Sequence, residues 1–136
     1  MSKTTNAGLS AQASKQLVTD FLNSWEGRDI DHICSFFTPD AVYHNVPVAP
    51  IKGIAGIREI FAGFLSAFEV ATLEIITIVG EPNLVLAERM DHFVLFNGRS
   101  VDLPVNGVFE LKDGKIHRFS DYFDLKSFEE PTGLKL

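Results

Sequence analysis

Between Asn83 and Phe96 the chain reads Asn-Leu-Val-Leu-Ala-Glu-Arg-Met-Asp-His-Phe-Val-Leu-Phe. Its alternation is that of a strand, whose side chains point to two faces in turn. One face collects Val85, Ala87, Arg89, Asp91, Phe93 and Leu95. If that row lies against a core, an arginine and an aspartate are carried in with it. Buried charge is costly unless it is paired and hydrogen-bonded. The row therefore predicts either a structural ion pair or an active site.

The segments around it supply the core. Leu17, Val18, Phe21, Leu22 and Trp25 recur at helical spacing, predicting a helix from Ser10 or Ala11 to about Glu26 that Gly27 stops. Asp29 is placed to cap a short second helix with the stripe Ile30, Ile33, Cys34 and Phe37, ended by Pro39. Cys34 on that stripe reads as an inert buried thiol. Ala41 to Asn45 reads as a short strand, with Ala41, Tyr43 and Asn45 on one face, broken by Pro47 and Pro50. Gly53 to Phe68 is predicted as a third helix burying Ile54, Ile57, Ile60, Phe61, Phe64, Leu65 and Phe68. From Val70 the chain reads as strands. Glu81-Pro82-Asn83 is a turn, Asn97-Gly98 and Asp113-Gly114 are two-residue hairpin signals, and Leu125 to Glu130 is a terminal helical turn before Pro131.

Helices first and then a strand meander is an α+β order. The expected fold is a set of N-terminal helices packed on one strongly curved, mixed, mostly antiparallel sheet, forming a cone with an interior pocket. The length, 136 residues, fits a single domain over 11–136 after a disordered tail at 1–10. Eighteen acidic and twelve basic residues give a net charge of −6 without a basic cluster, which argues against nucleic acid or an anionic membrane surface as partner. One cysteine excludes an internal disulfide framework. The N-terminus lacks the apolar core of a signal peptide and no apolar run spans a bilayer, so a cytoplasmic protein is expected.

The last strand repeats the oddity of the first. His117, Phe119, Asp121 and Phe123 share a face, so Asp121 lies between two phenylalanines. One apolar lining then carries five polar groups: Tyr43, Asn45, Arg89, Asp91 and Asp121. Tyr43-x-Asn45, Arg89-x-Asp91, and Asp121 within Asp121-Tyr122-Phe123-Asp124-Leu125 resemble, in order and approximate spacing, the catalytic pattern of the limonene-1,2-epoxide hydrolase family. The text from Gly107-Val108-Phe109 to Phe128-Glu129-Glu130 is similar as well. The resemblance implies a fold like nuclear transport factor 2, also called SnoaL-like, with a homodimer and no cofactor. It implies Asp121 as general base on a water held by Tyr43 and Asn45, Asp91 as general acid at the epoxide oxygen, and Arg89 bridging and orienting the two acids.

The residue types suit that chemistry without the family. Hydrating an epoxide needs a base at the water and an acid at the departing oxygen. Two buried carboxyls that share one proton can supply both, because burial and mutual repulsion raise their pKa values. The residues alone do not assign acid and base between Asp91 and Asp121. Singly, each group has a structural reading. Arg89 with Asp91 is a salt bridge, Tyr43 a half-buried aromatic, and Asn45 a turn residue before Pro47. A second acid on one arginine is more than structure needs. His117 is expected at the rim, and His44, His92 and His32 point away, so no metal site is expected.

Two other functions compete on such a fold: a ketosteroid-isomerase-like or polyketide-cyclase-like enzyme, and a non-catalytic small-molecule-binding module. A pocket lined by Phe, Leu, Ile and Val favours a compact apolar epoxide, cyclic or terpene-like, with water as co-substrate. Val46 to Lys52 and Phe64 to Val70 are expected to shape that pocket. The apolar outer face of the Asn83–Phe96 strand, Leu84, Leu86, Met90 and Val94, predicts a homodimer.

Overall fold

The computed structural model describes residues 8–136, so seven of the ten positions of the expected tail lie outside the described residues. Four helices, α1 (Ala11–Ser24), α2 (Ile30–Cys34), α3 (Ile54–Ala67) and α4 (Leu125–Thr132), accompany six strands, β1 (Phe37–Asn45), β2 (Ile51–Lys52), β3 (Phe68–Glu81), β4 (Leu84–Leu95), β5 (Ser100–Lys112) and β6 (Lys115–Tyr122). The strands form one sheet in the order β2-β1-β6-β5-β4-β3, which is not closed. The β1–β6 pair is parallel and all other neighbours are antiparallel. This is the expected α+β architecture with a mixed, mostly antiparallel sheet.

α1 begins at Ser10, whose hydroxyl oxygen accepts the Ala13 N–H at 3.1 Å and satisfies a first-turn donor that has no partner within the helix. Val18, Phe21 and Leu22 are its buried stripe. Ser14 is buried with them because its Oγ accepts the Asn83 N–H at 2.9 Å, tying the helix to the β3–β4 turn. Phe21 is the hub of the core. Its ring meets Phe37 of β1 edge-on at 5.2 Å and Phe119 of β6 at 5.5 Å, and lies 6.5 Å from Phe61 of α3. Such edge-to-face pairs add to the area they bury.

Four expectations are corrected. Phe37 is not on the stripe of α2, which ends at Cys34; it starts β1. The spacing from Cys34 fits a helix, but Pro39 lies too close for one to continue, and the extended chain turns the Phe37 ring onto Phe21 instead. Pro39 is accommodated in β1 where the register with β6 shifts between Phe37 and Val42. Gly27 does not supply the stop after α1. The left-handed residue is Arg28 (φ 57), held there because its guanidinium donates to the Leu65 and Glu69 carbonyls at 2.8 and 2.9 Å and to that of Phe68. Asn97-Gly98 is not a two-residue hairpin. Gly98 alone has positive φ (88), and the Leu95 N–H donates to the Arg99 carbonyl across a three-residue loop. A two-residue turn of this kind requires positive φ at both positions, as Asp113 (53) and Gly114 (73) do provide. The terminal helical turn also runs on through Pro131 to Thr132, where Gly133 (φ 75) ends it.

Candidate active site

β4 alternates between exposed and buried positions along its length, and its buried row is the one that carries the charges. Arg89 is 1% exposed and Asp91 4%. Arg89 stands mid-sheet, opposite Ile75 of β3 and Val105 of β5. Its guanidinium divides between two carboxylates. Nε and Nη2 donate to Asp91 Oδ1 and Oδ2 at 3.0 and 2.8 Å, and Nη1 and Nη2 donate to Asp121 Oδ1 and Oδ2 at 2.8 and 2.9 Å. Both pairs are bidentate, the strong geometry for this ion pair.

Asp121 belongs to β6, and β5 lies between it and β4. The level at which Arg89 crosses β5 is occupied by Gly107, opposite Asp121 on one side and Ala87 on the other. A Cβ there would stand 2.6 Å from Arg89 Nη1 and 2.8 Å from Asp121 Oδ1. The missing side chain is therefore the gap through which the arginine reaches its second acid. The signal for Gly107 was available in the sequence, since a glycine inside a strand often marks a close approach.

The parallel β1–β6 pairing sets Asn45 directly opposite Asp121 and Tyr43 opposite Phe119. Tyr43 Oη donates to Asn45 Oδ1 at 2.8 Å. Its ring packs on Phe61 and Phe119 at 5.0 and 5.1 Å. All five polar groups line a single cavity of about 60 Å³, whose remaining walls are aromatic and aliphatic, including Trp25, Phe64, Phe68, Phe93 and Leu103. That space admits water among polar partners. Of the two segments expected to shape the pocket, Phe64 and Phe68 do so, while Val48, Ala49 and Ile51 line an outer groove that adjoins it through Asn45, Phe64 and Leu136.

Burial opposes the charge on Arg89, but Asp121 and Asp91 outweigh it and hold the guanidinium cationic well beyond its ordinary range. Burial pushes the Asp121 carboxyl up; Arg89 pulls it back and Asp91 pushes it up again. Burial, then Asp121, push the Tyr43 hydroxyl far up, against the Asn45 hydrogen bond and Arg89, so it stays a neutral phenol. Two carboxyls on one cation in an apolar cavity carry a net charge of −1 when both are ionised and none when they share a proton.

The histidines lie elsewhere. His117 does not share the Asp121 face, because the β5–β6 register shifts between Glu110 and Leu111 and the extra residue turns it outward. Its Nδ1 lies 3.0 Å from Thr38 Oγ1 and 3.6 Å from Asp40. His44 Nε2 is 2.8 Å from the Val48 carbonyl. His92 is on the outer face and His32 is exposed. Cys34 is buried, and its burial pushes the thiol pKa up. Among the described residues no three His, Cys, Asp or Glu side chains converge as metal ligands. No helix among them is long and apolar enough to cross a membrane.

Comparison with known proteins places this geometry in a family. Residues 18–119 match the SnoaL-like domain. The chain is 35% identical over 111 residues to the epoxide hydrolase EphG of Mycobacterium tuberculosis, covering 79% of this chain and 71% of that protein. The structure of a limonene-epoxide-hydrolase-like epoxide hydrolase from M. tuberculosis superposes with a TM-score of 0.78 at 27% identity, over 90% of each chain. A candidate polyketide cyclase from Xanthomonas campestris superposes with a TM-score of 0.82 at 21% identity, over 90% of this chain and 98% of that one, and shows the fold alone. The chain thus belongs to the SnoaL-like domain family, within which it is a homologue of an epoxide hydrolase.

Proposed function

We propose that the cavity hydrolyses a small apolar epoxide, cyclic or terpene-like, to a vicinal diol in one step. The observation that carries the proposal is one fully buried arginine gripping two carboxylates bidentately in an apolar cavity. A structural ion pair needs one acid; a reaction that both removes and delivers a proton needs two. Asp121 is the base and Asp91 the acid. Tyr43 spends its proton on Asn45 Oδ1, so the Asn45 amide N–H and a Tyr43 lone pair are available to hold a water beside Asp121, which is opposite Asn45 across the strand pair.

The water oxygen forms a bond to one epoxide carbon while its proton passes to the Asp121 carboxylate. The carbon–oxygen bond of the ring breaks, and the released electron pair takes the proton of Asp91. The sum is epoxide plus water giving diol, with one proton moved from Asp91 to Asp121 and then returned. Arg89 keeps the total charge near zero at both ends of the transfer. A ketosteroid-isomerase-like site needs one carboxylate base and a neutral donor at the oxyanion, and a fixed guanidinium between two acids does not supply that pair.

Back-side attack inverts the attacked carbon and gives a trans diol from a cyclic epoxide. The test is a single turnover in ¹⁸O-labelled water with enzyme in excess. Direct attack puts label in the diol at once; an ester formed on an aspartate delivers unlabelled carboxylate oxygen first and overturns the one-step reading. For assembly, we propose a homodimer through the outer sheet face, where Val70, Val79, Leu84, Leu86 and Val94 are exposed. Light scattering at micromolar concentration is expected to give twice 15.1 kDa, and a mass near 15.1 kDa rules the dimer out.

A further inference from the structure

The cavity that holds Arg89 and both acids, about 60 Å³, stands beside a far larger groove of about 740 Å³, and the two share Asn45, Phe64 and Leu136 in their walls. Asn45 is hydrogen-bonded to Tyr43, and Phe64 belongs to α3 and stacks on Phe68 at 5.7 Å. Of the three, Leu136 alone comes from outside the sheet and α3. It belongs to the segment 133–136 that leaves α4 and lines the groove with Leu134 and Lys135 as well. Local hydrogen bonds hold that segment. The Gly133 N–H donates to the Glu129 carbonyl at 2.8 Å, and the Leu134 N–H donates to Thr132 Oγ1 at 3.1 Å. Glu129 Oε2 accepts the Leu136 N–H at 2.9 Å, and its Oε1 lies 3.6 Å from Lys135 Nζ. The Glu129 side chain is only 15% exposed, so this charge-assisted bond is largely shielded from water. Leu134 and Leu136 pack half-buried against the core.

We infer that Leu136 is a specificity-determining residue, whose side chain closes the cavity on its groove side and restricts the site to compact epoxides, and that Glu129 is the positioning residue that holds it there. The inference rests on the epoxide reading of the same cavity and narrows it to substrates without a long tail. An apolar chain that passed this point would meet Ile60, Phe64 and Ala67 of α3. It would gain about fourfold in affinity for each methylene it buried there. Leu136 withholds that gain. Gly63 of α3 lines the same groove but not the cavity, and a Cβ there would stand in open space. A large side chain at position 63 therefore fills the groove without touching the catalytic groups.

The first experiment reads binding without reaction. Trp25, the one tryptophan of the chain, lines the cavity, so its fluorescence reports occupancy. The wild type and its variants are titrated with 1-butanol and with 1-octanol. The wild type is expected to bind the two with similar affinity. Leu136→Ala is expected to shift the preference towards 1-octanol by at least about tenfold, as burial of two further methylenes gives. Adding Gly63→Phe to Leu136→Ala is expected to return the ratio to its wild-type value. Glu129→Ala is expected to move it in the same direction as Leu136→Ala, and Glu129→Gln, which keeps an oxygen for the Leu136 N–H, to leave it unchanged. A ratio in Leu136→Ala no larger than in the wild type, absent binding of both alcohols to that variant, or a gain that Gly63→Phe leaves intact overturns the inference. An unchanged ratio in Glu129→Ala overturns the role of Glu129. The second experiment measures kcat/KM for 1,2-epoxyoctane relative to 1,2-epoxybutane, and the ratio is expected to follow the same order across the variants. If the wild type and Leu136→Ala hydrolyse neither epoxide, the reaction reading fails while the alcohol titrations still decide Leu136.

Discussion

Two clusters of one base between two acids sit back to back on β4, formed by residues three apart in sequence. On the inner face Arg89 grips Asp91 and Asp121. On the outer face His92 lies between Glu74 of β3, at 2.8 Å, and Asp102 of β5, at 2.6 Å. The contact distances are alike and the charge patterns are alike, but the surroundings are not. The His92 side chain is 38% exposed and its two acids more so, which places the cluster where water and salt screen it. The inner cluster is buried away from bulk water, so each of its charges depends on the others. The same arrangement of charges is solvated on one face and buried in a cavity wall on the other.

Removing the base from each cluster separates them most. Arg89→Ala leaves two carboxyls in an apolar cavity and is expected to cost about 3–5 kcal/mol at neutral pH. It is also expected to lose several orders of magnitude of epoxide hydrolysis, since the cluster acts as a unit. The Asp121 carboxyl, raised by burial, would then lose the arginine that pulls it back, so the variant is expected to regain stability as the pH is lowered. Urea unfolding at several pH values reads this, and a pH-independent loss breaks the comparison. His92→Ala, measured alongside, is expected to change stability by less than about 1 kcal/mol.

Removing one acid comes next. Asp121→Asn and Asp91→Asn are each expected to lose several orders of magnitude of activity, while Tyr43→Phe and Asn45→Ala lose less. The stability of Asp121→Asn is expected to hold at neutral pH, because Arg89 keeps Asp91 as partner. The Asp121 carboxyl is raised above its ordinary 3.8 in the folded protein. The folded state therefore keeps its proton longer, and wild-type stability is expected to decline as pH rises from near 3.8 through the higher folded value. Asp121→Asn should flatten that stretch of the curve. Near-full activity in Asp121→Asn removes it as the base.

Gly107→Ala tests the crossing point of the inner cluster. The added Cβ meets Arg89 Nη1 and Asp121 Oδ1, atoms already committed to each other. An expected loss of about 1–3 kcal/mol, together with lower activity, identifies Gly107 as the residue that positions the pair; wild-type activity in the variant contradicts that. The smallest effect belongs to the outer cluster. Hydrogen bonds that His92 donates to the Glu74 and Asp102 carboxylates raise its pKa above its ordinary 6.5. Its contribution is present in full below about 6.5 and is lost as pH rises through the folded value. It is expected to vanish at about 1 M salt, while the inner cluster does not respond.

The alternation of β4 was legible because the side-chain period of a strand is written locally, and the same holds for the helical stripes of α1 and α3. The five polar cavity residues were legible for the same reason: each sits in phase with apolar neighbours on its own strand. His117 was misplaced by that reasoning, since a bulge adds one residue and inverts the phase beyond it. Asn97-Gly98 was misassigned because only Gly98 takes positive φ.

By itself the sequence determined which residues face inward, and with them that an arginine and two aspartates enter an apolar interior. It did not determine which strands lie side by side. That Asn45 stands opposite Asp121 follows from the parallel β1–β6 pair, whose partners are 76 positions apart, and that Arg89 reaches Asp121 follows from β5 presenting a glycine between them. Periodicity records the face of each residue because face depends on near neighbours along the chain. Partnership across strands depends on how the whole chain buries its apolar surface, and only the folded molecule makes that choice.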